Sequence, residues 1–175
     1  MIETVSSTDV SPEALVQIRS VVDAAFGAGF SDDDWRHALG GWHVVAFEEG
    51  VVIGHAAVVP RMIESADRPF HTGYVEAMAV HPDRQRHGIG STVMVEAERI
   101  IRSNFELGAL SSNADGFYER LGWDRWLGPT YARGTGRRAR TRDDDGGIFV
   151  LRFGPSDAID LSADISCEER SGDHW

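Results

Sequence analysis

The sequence predicts one mixed α/β domain, a single central sheet with helices on its faces. Three observations predict it. The chain has 175 residues, the size of one compact domain that buries about two thirds of its extended surface without disulfide or metal support. Its composition, 42% hydrophobic and 26% charged, is that of a globular chain and not of a disordered one. Its apolar residues switch along the chain between helical spacing and short strand-like runs.

The elements follow in order. Ser11-Pro12-Glu13 opens a helix, with Ser as cap and Pro at the first helical position. Leu15, Ile18, Val22, Ala25 and Phe26 then recur on one face, and Gly27 and Gly29 end it. Ser31-Asp32-Asp33-Asp34 starts a short second helix through Leu39, which Gly40-Gly41 breaks. Residues 42–48 and 51–60 are strand-like runs around Glu49-Gly50, a hairpin signature. A loop around Asp67-Arg68-Pro69 precedes a strand over 73–80. The turn His81-Pro82-Asp83 and a glycine-containing loop over 84–90 lead into a long helix from Ser91 to about Asn104, with Val93, Met94, Ala97, Ile100 and Ile101 on one face. A strand over 107–110, a helix over 114–121 closed by Gly122, and a strand over 123–126 come next. Residues 133–142 read as an arginine-rich loop, and 148–153 as the last clear strand. The tail, 155–175, is acidic and weakly patterned.

The charge is lopsided: 28 acidic residues against 17 basic ones leave −11. All 17 basic residues are arginine. Such a field repels nucleic acid and anionic membranes and attracts cations. Solubility alone accounts for it, and so does a polycationic substrate. The single cysteine, Cys167, excludes a disulfide framework and a multi-cysteine zinc site. His37, His43, His55 and His71 are scattered without ligand spacing, so they are expected as core or surface histidines and no metal is expected. No apolar run approaches the roughly 18 residues of a membrane span. Met1-Ile2-Glu3-Thr4 lacks the basic-then-apolar pattern of a secretory signal. The expected setting is the cytoplasm, with neither nucleic acid nor membrane as a partner.

The stretch that carries chemistry is 75–90. A strand ends at Val80, the loop Arg84-Gln85-Arg86-His87-Gly88-Ile89-Gly90 follows, and a helix begins. Backbone N–H groups at a helix start converge with partial positive charge. Gly88 and Gly90 let a pyrophosphate approach the backbone, and Arg84 and Arg86 add charge-assisted contacts. The loop has no lysine, so it is not a P-loop, and it lacks G-x-G-x-x-G.

Gln85-Arg86-His87-Gly88-Ile89-Gly90 matches Gln/Arg-x-x-Gly-x-Gly/Ala after a strand and before a long helix. With this motif the chain resembles the GCN5-related N-acetyltransferases (GNAT). The resemblance implies a mixed, mostly antiparallel α+β sheet with a splayed strand pair and helices on both faces. It implies acetyl-CoA, with the pyrophosphate on the loop from Arg84 to Gly90 and the pantetheine arm along Met78, Ala79 and Val80. Further blocks resemble the aminoglycoside 2′-N-acetyltransferases. They are the Phe30–His43 region, Gly73-Tyr74-Val75-Glu76-Ala77-Met78, Leu107-Gly108-Ala109-Leu110-Ser111-Ser112, Asp143-Asp144-Asp145-Gly146 and the terminal Gly172-Asp173-His174-Trp175. Gly29 departs from that family, which usually carries Asp there.

The second resemblance implies a homodimer and a cationic aminosugar substrate. The substrate would be held by Asp34, Glu76, Ala77, Ser111, Asp144, Asp173 and Trp175, with the acidic tail lining the pocket. Direct acetylation needs a neutral amine and hence a base. Glu76, a charge within an apolar strand, is the candidate, and the resemblance implies that it acts through a water. Tyr118 is the candidate acid for the departing thiolate, since a phenol near 10 lies only slightly above a thiol near 8.5. Simpler roles stay open. Strand alternation alone places Glu76 in solvent, Tyr118 packs on a sheet, and the acids at 32–34 complement a helix dipole. Two other readings also stay open: acetylation of another amine, such as a peptide N-terminus, and a non-enzymatic acyl-CoA-binding domain.

Overall fold

The structure is a computed structural model and describes residues 1–114 and 116–175. The chain divides into two compact units, one of residues 1–59 and 75–100 and the other of residues 60–74 and 101–175. Two long strands, β3 (Val51–Ser65) and β4 (Arg68–Val80), contribute one part to each.

In the first unit, β1 (Ile2–Ser6) pairs antiparallel with β2 (Trp42–Glu48), and β2 pairs antiparallel with β3. The β2–β3 register shifts by one residue between Ala46 and Phe47, a bulge that follows the Glu49-Gly50 turn. The helices are α1 (Pro12–Phe26), α2 (Asp32–His37) and most of α3 (Ile89–Asn104). Ser11 caps α1 by accepting from the Ala14 N–H at 3.1 Å. Ser31 and Asp34 cap α2 reciprocally, Ser31 Oγ accepting from Asp34 N at 3.2 Å and the Asp34 carboxylate accepting from Ser31 N at 2.8 Å. Ile18, Val21 and Val22 of α1 form one buried cluster with Val45, Val52 and Ala79, and Phe30, Trp35, Phe47 and Ala77 pack against it. Burial of each large aliphatic chain there is worth about 1.5–3 kcal/mol.

In the second unit the strand order is β6 (Asp124–Arg125), β9 (Ile148–Leu151), β5 (Leu107–Ser111), β4, β3, β10 (Ile165–Glu168), β7 (Thr130–Gly134), β8 (Arg137–Arg140). The β4–β5 and β10–β7 ladders are parallel, and the β3–β10, β5–β9, β6–β9 and β7–β8 ladders are antiparallel. The β4–β5 ladder covers Thr72↔Leu107 to Tyr74↔Ala109, while β4 itself runs on to Val80. A short helix, α4 (Phe117–Arg120), follows β5. Trp123, Trp126 and Phe149 are fully buried. The mixed, mostly antiparallel α+β fold is the one the sequence predicts.

Several segments differ from expectation. The loop at 67–69 is a tight hairpin: Ala66 and Asp67 take φ +48° and +61°, the left-handed pair that matches the twist of antiparallel strands. The loop at 133–142 is the β7–β8 hairpin, closed at Gly134↔Arg137 with Gly136 at φ +67°. Its arginines are neutralised by acids of the same unit: Arg133 with Glu64, Arg137 with Glu169, Arg138 with Asp164 and Arg140 with Asp145. The tail is not unstructured, because Ile165, Ser166 and Cys167 are buried in β10. The helix expected over 114–121 is confined to Phe117–Arg120, and Asp115 lies outside the described residues. Among the described residues no helix is long and apolar enough to cross a membrane.

Gly41 is fixed by space. A Cβ on Gly41 would stand 2.0 Å from the Val58 carbonyl oxygen, whereas one on Gly29 would meet nothing within 4 Å. Backbone cannot swing aside as a side chain can. Gly41→Ala is expected to lose about 1–3 kcal/mol or more, a fall in Tm of several degrees. Gly29→Ala should leave the melting curve nearly unchanged, and paired thermal denaturation checks both.

Candidate active site

In the first unit the predicted residues form one continuous run. Glu76, Ala77, Met78 and Val80 are half-buried on β4, and Ala79 is buried beneath them. Ala77 has φ +48°, a left-handed conformation that costs a non-glycine residue about 1–3 kcal/mol and persists only where its surroundings impose it. It interrupts the strand's regular alternation between Glu76 and Met78. The Ala77 carbonyl accepts a hydrogen bond from His55 Nδ1 at 2.9 Å.

The loop beyond β4 is anchored on one side and bare on the other. The His81 N–H donates to the Ile53 carbonyl at 2.9 Å, and the Gln85 side-chain amide donates to the Val80 carbonyl at 3.2 Å. Arg84 donates to Glu48 at 2.6 Å, so its guanidinium is tied to β2. His87 Nδ1 donates to the Gln85 carbonyl at 2.8 Å. Arg86 and Gly88 take φ +64° and +81°, and a Cβ on Gly88 would meet nothing within 4 Å. Ile89 packs so close to Gly54 that a Cβ there would stand 3.0 Å from its Cγ2. Helix α3 begins at Ile89, two residues earlier than expected, so Ile89 and Gly90 lie in its first turn. First-turn N–H groups have no intrahelical acceptor. An open Gly88, an exposed Arg86 and this turn fit an anionic diphosphate.

Asp34 is half-buried, and one carboxylate oxygen serves the α2 cap, accepting from Ser31 N and Ser31 Oγ at 2.8 Å each.

The second unit brings together three of the predicted acids and termini. Asp144 is half-buried and its carboxyl is pushed above the usual range, first by burial and then by the negative charges of Asp173 and Asp143. It also hydrogen-bonds Thr141, and the buried Trp175 indole donates to Thr141 Oγ1 at 3.1 Å. Its neighbour Asp145 has a different role. It accepts from Arg140 at 2.5 Å and from Thr130 Oγ1 at 2.9 Å, and its carboxyl falls to about 2. Tyr118 is buried, and desolvation pushes its phenol up while a hydrogen bond with Ser112 pulls the other way. Ser111 is exposed at the end of β5.

Sequence reasoning missed Ser112 and Thr141, the hydroxyls that orient Tyr118 and join Asp144 to Trp175. Ser112 closes the Leu107-Gly108-Ala109-Leu110-Ser111-Ser112 block. It also missed the partnership of His43 and His55, which are fully buried with His43 Nδ1 and His55 Nε2 2.9 Å apart.

The strand, loop and helix of the first unit are those of a family that transfers acetyl groups. Residues 15–123 match the acetyltransferase (GNAT) family, and the chain belongs to that family. It is 41% identical over 98% of its length, and 90% of the other protein, to the aminoglycoside 2′-N-acetyltransferase of Mycolicibacterium fortuitum. Two solved structures share the fold. A GNAT acetyltransferase of Brucella melitensis, in complex with acetyl-CoA, gives a TM-score of 0.62 at 22% identity over 94% of each chain. The Escherichia coli GNAT acetyltransferase YhbS, in complex with CoA, gives 0.70 at 15% identity over 98% of this chain and 93% of that one.

The two neighbouring acids should respond to mutation with opposite signs. Asp145 titrates lower in the folded protein, so it contributes stability above pH about 4 that is lost as pH falls towards 2. Asp145→Asn should lower Tm at pH 7, reflecting a stability loss of up to about 1 kcal/mol for a partly exposed pair, and the deficit should close over that window. Asp144 titrates higher when folded, so its ionised form costs stability once pH exceeds the ordinary carboxylate value. Asp144→Asn should raise Tm at pH 7. Melting curves at pH 7 and pH 3 check both signs.

Proposed function

We propose that this acetyltransferase moves the acetyl group of acetyl-CoA onto the 2′-amine of aminoglycosides and so confers resistance to them. The observation that carries the reading is the likeness to the M. fortuitum enzyme along nearly the whole of both chains. The half-buried Asp144, kept beside Asp173 and Trp175 at a cost in stability, supports a cation as the ligand. Asp34, Ala77 and Ser111 complete the proposed substrate contacts, and the acidic tail lines the pocket of a single catalytic domain. The enzyme is proposed to work as a homodimer in the cytoplasm, with no metal, nucleic acid or membrane required.

Acetyl-CoA supplies a thioester whose carbonyl carbon the amine attacks, with release of the CoA thiol. This chain's residues do the rest. The loop from Arg84 to Gly90 holds the pyrophosphate, and Met78, Ala79 and Val80 offer backbone to the pantetheine arm. Glu76, through a water, removes the proton that keeps the aminosugar nitrogen from attacking. The Met78 N–H polarises the thioester carbonyl. As the C–S bond breaks, the sulfur takes a proton from Tyr118, whose burial keeps the phenol protonated at neutral pH.

Regiochemistry tests the substrate. Tobramycin and gentamicin carry a 2′-amine and kanamycin A a 2′-hydroxyl, so a CoA-release assay should show turnover of the first two and little of the third. Equal turnover of all three would overturn the 2′ assignment.

The two catalytic roles separate by pH. Glu76→Gln should lower kcat about tenfold or more, with the loss shrinking at high pH where free amine is already present. Tyr118→Phe should lower kcat without recovery at high pH. Normal kcat with a reduced Tm in either variant would show a packing residue instead.

A further inference from the structure

Two histidines, an alanine carbonyl and a serine in the first unit form one hydrogen-bonded chain. Ser7 Oγ lies 2.8 Å from His43 Nε2, His43 Nδ1 lies 2.9 Å from His55 Nε2, and His55 Nδ1 lies 2.9 Å from the Ala77 carbonyl oxygen. Ser7 Oγ is in turn 3.0 Å from Gly40 N and 3.2 Å from Gly41 N.

The end groups fix every proton in between. A carbonyl only accepts, so His55 must donate from Nδ1. A neutral imidazole with its proton on Nδ1 accepts at Nε2, so His43 must donate from its own Nδ1. His43 Nε2 is then an acceptor, and Ser7 donates its hydroxyl proton to it. The two backbone N–H groups at Gly40 and Gly41 give Ser7 Oγ the acceptor role that this leaves. One tautomer assignment satisfies all of these contacts. Moving the proton of either neutral ring to Nε2 would set two acceptors face to face, His55 Nδ1 against the Ala77 carbonyl or His43 Nδ1 against His55 Nε2.

Both rings are fully buried. Burial lowers the pKa of each, and for His55 burial together with the neighbouring ring brings it down to about 3. Neutral rings are what the geometry requires.

We infer that His55, oriented by His43 and Ser7, is a positioning residue for acetyl transfer: it holds the Ala77 carbonyl and thereby the left-handed backbone that aims Glu76 and the Met78 N–H. Neither histidine is assigned a contact with substrate or acetyl-CoA. The inference rests on the proposed roles of Glu76 and Met78. A relay with this direction suits a fixed orientation and not proton transport, since moving a proton along it would charge a buried ring.

Two measurements test it. The first needs neither variant nor substrate. In 15N-histidine-labelled protein, NMR should show His43 and His55 both protonated at Nδ1 and bare at Nε2 from pH 6 to 8. A charged ring, or a proton on Nε2, overturns the inference.

The second uses variants. His55→Leu keeps bulk and removes the donor, while His55→Asn places an amide N–H near the lost Nδ1. Expected is a kcat at least tenfold lower for His55→Leu, with the Kd of acetyl-CoA, measured by calorimetry, within threefold of wild type. His55→Asn should return kcat to within about threefold. Wild-type kcat in His55→Leu overturns the inference. So does a kcat in His55→Asn as low as that of His55→Leu when the variant is folded, because the ring would then matter only as packing. Should His55→Leu not fold, His55→Asn decides by the same threefold criterion, measured against wild type. If wild type accepts no aminoglycoside, the substrate reading fails, and the tautomer measurement still decides for or against the relay.

Discussion

The fold turns on the backbone of β4, which has two incompatible tasks. Its first part must be an ordinary buried strand, paired with β5 over Thr72 to Tyr74. Its second part, half-buried at Glu76, Ala77, Met78 and Val80, is where backbone groups and a carboxylate are proposed to face the reactants. The left-handed residue at Ala77 marks the change. An alanine does not adopt that conformation unaided, so neighbours must impose it. The hydrophobic cluster around Ala79 and Val52 clamps the strand from one side, and a hydrogen bond from a buried imidazole holds its carbonyl. The loop over 84–90 inherits its place from the same strand, through Gln85 on Val80 and Ile89 against Gly54.

The acids show how one type of side chain divides its labour. Within Asp143-Asp144-Asp145, the last residue is saturated by Arg140 and Thr130 and pins the end of β8 to β7. The middle one sits half-buried and close to Asp173, with Thr141 and, more weakly, His174 acting against the push of burial and like charge. A fold gains nothing in stability from such a carboxylate, and a cation-binding surface gains a good deal. Asp34 combines both demands, since its cap on α2 takes up one oxygen.

Much of this was legible in the sequence. Caps, turns and apolar spacing located α1, α2, β2 and the loop before α3, because those signals are local. What was missed depended on distant partners. The strand at Ile165–Glu168 is too short to declare itself and exists because β7 and β3 pair with it. The arginine-rich hairpin looked like a loop because its strands carry charges that find acids far along the chain. The histidine pair is the clearest case. A hairpin in the unshifted register of Phe47↔Val52 would place His43 and His55 on opposite faces. The bulge between Ala46 and Phe47 moves the register by one, pairing Val45 with His55 and His43 with Ala57, and so puts both rings on the same face. One inserted residue decided whether the two could meet, and neither spacing nor composition records it.

The arginine-only chemistry of this chain has a consequence beyond ion pairing. An acetyl thioester is an electrophile, and a protein that binds one exposes its own nucleophiles to it. A lysine beside the bound donor would be a competing amine, open to slow modification. Here the 17 side-chain cations are all guanidinium groups, which stay protonated at any working pH, and several are locked against carboxylates in the β7–β8 hairpin. The enzyme thus carries no side-chain amine that its own acyl donor can consume, and its surface charge does not erode with turnover.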